Sequence, residues 1–152
     1  GSIRIYLKKN EKIKIEKNVK ELIKEEEKFG IKKFKTYQDF GKKVYKIREN
    51  VIKNIKEIKK NRENIVGYGA PAKATTALNF FNISEEIDCI VEDNKLKQGK
   101  YVPGVNIKIV SKKEVKNKGN AILVLAWNFF DEIKKNNKDL SNNFINIKTL
   151  EK

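Results

Sequence analysis

Asn64-Ile-Val-Gly-Tyr-Gly-Ala-Pro-Ala-Lys-Ala-Thr-Thr-Ala-Leu-Asn79 decides the fold of this chain. A short apolar run, Ile65-Val66, meets Gly67 and Gly69, and a helix-competent segment opens at Pro71-Ala72. The order strand, glycine turn, helix is that of a mononucleotide-binding βαβ unit. The spacing Gly67-x-Gly69-x-x-Ala72 fits the dinucleotide fingerprint, whose last position is Gly or Ala. Gly67 allows the tight turn, Gly69 lets a phosphate approach the backbone, and Ala72 lets helix and strand pack closely. Pro71 suits a first helical turn, where its missing N–H costs nothing. Free N–H groups at the helix start would then face an anion. A tight turn in any α/β domain has the same local pattern, so the flanking sequence must discriminate.

From Asn64 onward, short apolar runs alternate with helical segments, which predicts parallel βαβ units. The expected strands are Ile65-Val66, Ile87 to Val91, a short one near Asn106 to Ile109, Ala121 to Ala126, and Phe144 to Thr149. Helices are expected over Pro71 to Phe81, Ser111 to Lys116 and Phe129 to Lys135. Ala121-Ile-Leu-Val-Leu-Ala126 is apolar throughout, as befits a strand covered on both faces of a parallel sheet. Upstream, Ile3-Arg-Ile-Tyr-Leu7 alternates apolar and polar residues and reads as a strand, followed by a lysine-rich segment over 8–17 that reads as mobile. Asn18 to Phe29 carries Val19, Leu22 and Ile23 on one helical face, with Gly30 placed to end it. Thr36 reads as the N-cap of a longer helix. Its stripe Phe40, Val44, Ile47, Val51, Ile55 and Ile58 steps by three or four and is expected to pack into a core. The predicted architecture is α/β: a Rossmann-like parallel sheet with flanking helices over 64–152, preceded over 1–63 by a strand and a helical linker.

Five blocks occur in order: Gly67-Tyr-Gly-Ala-Pro-Ala-Lys-Ala-Thr-Thr76, Ile87-Asp-Cys-Ile-Val-Glu-Asp-Asn94, Lys97-Gln-Gly99, Tyr101-Val-Pro-Gly104 and Leu125-Ala-Trp-Asn-Phe129. Together they resemble the C-terminal domain of S-adenosylmethionine-dependent C-methyltransferases that act on nucleotide-linked deoxysugars. The similarity covers nearly the whole chain. Gly1-Ser-Ile-Arg-Ile-Tyr-Leu7 resembles the last strand of that family's methyltransferase domain, although Gly1-Ser2 also reads as a tag scar. The resemblance implies that the cysteine-rich zinc region, the S-adenosylmethionine site and the catalytic base lie upstream. It implies further that this part, alone not catalytic, helps hold the sugar nucleotide against the upstream methyltransferase domain of the same chain.

The composition sets bounds on the alternatives. At 152 residues the chain is long enough for a genuine core. No apolar run approaches the roughly 20 residues needed to cross a membrane, and the start lacks a signal-peptide plan. A cytoplasmic protein is the resulting expectation. The net charge of +15 raises nucleic acid as a partner. Against it, three of the 35 basic residues are arginine (Arg4, Arg48, Arg62), and arginine dominates base-edge readout. Lysines spread through an asparagine- and isoleucine-rich chain fit an AT-rich coding bias better. The single cysteine, Cys89, sits in an apolar run and reads as a buried thiol. There is no histidine, so the commonest general base and metal ligand is missing. No catalytic residue, metal site or cofactor is expected in this chain, S-adenosylmethionine belonging upstream.

In an open parallel sheet the ligand lies at the carboxyl ends of the strands, near the point where strand order reverses. The candidate substrate contacts there are Gly67, Tyr68, Gly69, Ala70, Lys73, Asp93, Asn94 and Trp127. Asp93 or Glu92 stands where dinucleotide folds bind a ribose hydroxyl; alternatively Asp93 caps the following turn. Lys73 pairs with a phosphate or carboxylate, or is a solvated helical lysine. Trp127 stacks on a base or sugar, or closes the core, the second being favoured. Asn128 reads as the cap of the helix that follows. A rival to the sugar-nucleotide reading is a stand-alone NAD(P)- or nucleotide-binding module. The Pro71 ring removes one N–H from a pyrophosphate cradle and argues against it.

Overall fold

The computed structural model describes residues 3–7, 9, 14–61, 64–115 and 120–152. Gly1-Ser2, residues 8 and 10–13 of the lysine-rich stretch, and Lys116 at the end of an expected helix lie outside the described residues. The chain forms two compact units, Gly1–Lys42 and Lys43–Lys152.

In the first unit, α1 (Lys17–Phe29) ends where Gly30 adopts φ +89° and its N–H bonds back to Glu26 and Glu27 carbonyls. That is the left-handed stop which a residue without Cβ makes cheap. α2 (Phe34–Lys60) starts earlier than the Thr36 cap predicts. The Thr36 hydroxyl instead donates to the Gly30 carbonyl at 2.8 Å, bracing the connection between the helices from inside the first turn of α2. Residues 3–7 form no strand, and Ile3, Ile5, Tyr6 and Leu7 are exposed. Alternating polarity yields a strand only where a neighbour supplies ladder hydrogen bonds, and none of the described strands pairs with this segment.

The second unit is built on five parallel strands in the order β3-β2-β1-β4-β5. They are β1 (Ile65–Tyr68), β2 (Ile87–Val91), β3 (Ile109–Val110), β4 (Ala121–Val124) and β5 (Asn143–Asn146). The α/β reading with a Rossmann-like parallel sheet and flanking helices therefore holds. Order reverses between β1 and β4, the switch point of a doubly wound sheet.

Two apolar clusters sandwich the sheet. On one face Ile65, Ile87, Ile90, Leu123 and Leu125 pack with Val51 and Ile55 of α2 and with Ala74, Leu78 and Phe81 of α3 (Ala72–Phe81). On the other, Val66, Tyr68, Val91, Ile122 and Val124 pack with Leu140 and with Phe130 and Ile133 of α4 (Phe130–Asn136). Alternate residues of β1 and β4 thus enter opposite clusters, which is the period of a strand buried on both sides. Gly67 belongs to this packing. A Cβ built there would stand 2.8 Å from Ile90 Cγ1 and 3.1 Å from Leu125 Cδ1.

The α2 stripe packs as expected over its later turns, where Val51 and Ile55 are fully buried and Ile47 and Ile58 lie against the core. Its earlier member Phe40 is exposed. Asn50 and Asn54 side-chain amides donate to the Glu151 and Leu150 carbonyls at 3.1 and 3.0 Å, fastening α2 to the chain end. β5 stops at Asn146 rather than continuing to Thr149. The Asn146 side chain accepts from Lys148 N–H, and Thr149 Oγ1 donates to the Asn146 carbonyl. These local bonds turn the backbone into a 3-10 segment, Ile147–Glu151, in place of the ladder. The expected helix after Ser111 is a single 3-10 turn, Lys112–Glu114, closed by a Ser111–Glu114 capping box.

Candidate functional site

At the carboxyl ends of β1, β2 and β4 the chain leaves the sheet in three turns, and these surround a crevice of about 640 Å³. Its walls include Tyr68, Gly69, Pro71, Asp93, Ala126 and Asn137. Gly69 makes the geometry available: its φ of +85° turns the chain out of β1, and its N–H bonds to the Val91 carbonyl at 2.8 Å. A Cβ at Gly69 would stand 2.8 Å from Ala126 Cβ, so the two crossing turns touch at backbone distance.

Inside the crevice, Tyr68 is 4% exposed and its hydroxyl donates to Asp93 Oδ2 at 2.9 Å. The same hydroxyl lies 3.2 Å from Asn137 Oδ1, while the Asn137 amide donates to the Ile133 carbonyl at 2.8 Å. One phenolic proton cannot serve two acceptors at once. Tyr68, Asp93 and Asn137 thus line the crevice as one donor set between two acceptors, a grouping suited to a hydroxyl-bearing ligand. Burial, reinforced by the hydrogen bond and charge of Asp93, pushes the phenol well above its ordinary value. Tyr68 is thus a neutral hydroxyl near pH 7, a hydrogen-bonding group without charge.

The acidic end of β2 distributes its roles differently from expectation. Glu92, not Asp93, reaches the glycine turn. Its Oε2 accepts the Ala70 N–H at 2.9 Å and its Oε1 the Asn94 N–H at 3.0 Å. Burial would raise its pKa, but these two N–H bonds and the Lys97 ammonium 3.5 Å away outweigh it and hold the carboxyl below its ordinary value. Lys97 also donates to the Ala70 carbonyl at 2.9 Å. Turn capping falls to Asn94, whose Oδ1 accepts Leu96 N–H at 3.0 Å.

Lys73 and Trp127 meet each other: the ammonium stands 4.1 Å from the indole centroid, a cation–π pair. Trp127 packs on the cluster beneath α3, the sheet face opposite Tyr68 and Asn137. Asn128 does not cap α4. Trp127–Phe129 forms a 3-10 turn, and α4 starts without a side-chain cap. The structure thus brings Tyr68, Gly69 and Asp93 together at the crevice, with Ala70 and Asn94 bound to Glu92 beside it. Gly67 lies within β1, and Lys73 and Trp127 form a separate pair. The sequence marked Lys97 only as part of an ordered block in a basic loop and gave no sign of Asn137 or Lys112, yet all three stand at the crevice wall. Lysines so abundant carry no positional signal. Asn137 follows a helix end, where asparagine is commonplace.

A doubly wound parallel sheet with a polar crevice at its switch point defines an α/β domain of the Rossmann-like type. The chain belongs to the C-methyltransferase C-terminal domain family, whose profile matches residues 1–146. It is also similar to the C-methyltransferase NovU of Streptomyces niveus, with 30% identity over 127 residues, 82% of this chain. That stretch spans 30% of the length of the relative. Among the described residues, no helix is long and apolar enough to cross a membrane.

Proposed function

We propose that this chain is the part of an S-adenosylmethionine-dependent C-methyltransferase that helps hold a nucleotide-linked deoxysugar. The observation that carries the reading is the Tyr68–Asp93–Asn137 group in a crevice at the switch point of a domain from this family. An uncharged phenol, a carboxylate and a carboxamide oxygen suit sugar hydroxyls, which need acceptors and a directed donor. In this reading the crevice binds and orients the glycosyl substrate, and the domain acts with an upstream methyltransferase domain in the cytoplasm.

S-adenosylmethionine supplies the methyl group in such a reaction. The residues of the glycine turn do not fit it, because the Ala70 amide that would meet its carboxylate is already bonded to Glu92. We therefore assign the donor, and the base that deprotonates the sugar carbon, to the upstream domain. No step of the transfer is attributed to residues of this chain.

The test is titration of the chain with a panel of nucleoside-diphosphate deoxysugars, followed by calorimetry and backbone-amide NMR. Saturable binding that shifts the Gly69 and Asp93 amides and weakens about tenfold or more in Asp93→Asn is expected. Saturable binding of NAD or NADP at those amides, with no response to any nucleotide sugar, would instead favour a dinucleotide module.

A further inference from the structure

Glycine turns of this type hold phosphate because their backbone N–H groups and the following helix end point at an anion. Here an anion is already present, and it belongs to the chain. Glu92 spans two turns with one carboxylate, Oε2 on the Ala70 N–H at 2.9 Å and Oε1 on the Asn94 N–H at 3.0 Å. Lys97 completes the seat, 3.5 Å from Oε2 and bonded to the Ala70 carbonyl at 2.9 Å. The Glu92 side chain is 14% exposed. Its backbone is held as well, since Gln98 Nε2 donates to the Glu92 carbonyl at 2.7 Å.

We infer that Glu92 is a specificity-determining residue that closes the glycine turn to external phosphate by serving as its built-in anion. A diphosphate arriving at Ala70 would have to displace a carboxylate bonded to two amides and an ammonium. It would also meet Asp93 and Glu132, which line the same crevice. Like charges at that range repel, and the displaced Glu92 would add to them. At the fingerprint Gly67-x-Gly69-x-x-Ala72 the Ala70 amide is therefore internally filled. Any phosphorylated ligand of the domain places its phosphates away from the Ala70 amide. This goes beyond the sugar-nucleotide reading, and it stands or falls on the turn alone.

The probe is inorganic pyrophosphate, titrated into the 152-residue chain with calorimetry and the Ala70 and Asn94 amide resonances as readouts. The resonances matter because a chain of net charge +15 attracts anions elsewhere. Wild type is expected to leave both amides unmoved. Glu92→Ala should move both and bind pyrophosphate about tenfold or more tightly, the scale of a charge-assisted hydrogen bond. Adding Lys97→Ala to Glu92→Ala should remove the gain. Should Glu92→Ala fail to fold, Glu92→Gln decides: it removes the charge that repels pyrophosphate and leaves only a weaker, displaceable neutral acceptor on the Ala70 amide, so it should gain in the same direction by a smaller factor. Wild type that moves the Ala70 amide with the affinity of the variant would overturn the inference, as would a folded variant with no gain.

Discussion

The Tyr68 hydroxyl donates to Asp93 Oδ2 at 2.9 Å, tying the last residue of β1 to a residue just past the end of β2. Tyr68 thereby belongs to the fold through its ring and to the crevice through its oxygen. Removing only that oxygen separates the two.

Tyr68→Phe should keep the fold and lower its stability by about 1–3 kcal/mol, because the buried Asn137 oxygen loses its neighbour. Urea denaturation measures this. The phenol is raised by burial and by Asp93, so its contribution is fully present below the ordinary tyrosine value of 10.0 and lost as pH rises above it. The alkaline limb of the stability profile should be shallower in Tyr68→Phe than in wild type.

Gly69→Ala should destabilise by about 1–3 kcal/mol, the scale of a side chain forced into a left-handed conformation. Two causes add: φ is +85°, and the new Cβ would stand 2.8 Å from Ala126 Cβ. Gly69→Val should cost more and block ligand approach, while circular dichroism at low temperature still shows the α/β signature. Equal melting temperatures for wild type and Gly69→Ala would show that the turn relaxes freely.

At acid pH the sign is opposite to that of Tyr68. Glu92 is held below its ordinary value of 4.5 in the folded chain. Its contribution is present above 4.5 and lost as pH falls through the folded value. Glu92→Gln should therefore flatten the acid limb, measured by thermal denaturation between about pH 6 and pH 3. An acid limb unchanged by the substitution would mean that the carboxylate is not bonded to the turn in solution.

Titration with NAD or NADP, followed by Trp127 fluorescence, should show no saturable micromolar binding. Trp127 reports on this end of the sheet because it opens the 3-10 turn that follows β4, three residues past Val124, with Lys73 against its ring.

Labelled S-adenosylmethionine mixed with the chain and a nucleotide-linked deoxysugar should yield no methylated sugar. The chain has no histidine, and Glu92 fills the turn amide. Turnover by the purified chain would require a base and a donor site not recognised among these residues.

The sequence by itself determined the sheet domain. The paired glycines marked a turn after the first strand, although it is Gly69 and not Gly67 that takes the left-handed conformation. Ala121 to Ala126 read as a strand covered on both faces, realised over Ala121–Val124, and Gly30 was placed to end α1. These are short-range demands of backbone conformation and side-chain period, so they are written locally. Tertiary structure alone decided which acid meets which donor. Glu92 and Asp93 are neighbours of like chemistry, yet one bonds Ala70, 22 residues away, and the other Tyr68, 25 residues away. Asn137 reaches Tyr68 across 69 residues, and Lys73 finds Trp127 from another strand's turn. Opposite directions of consecutive side chains, and the parallel register of β1 with β2 and β4, made those choices. Residue spacing carries no record of that register, because it is set only when the strands pair.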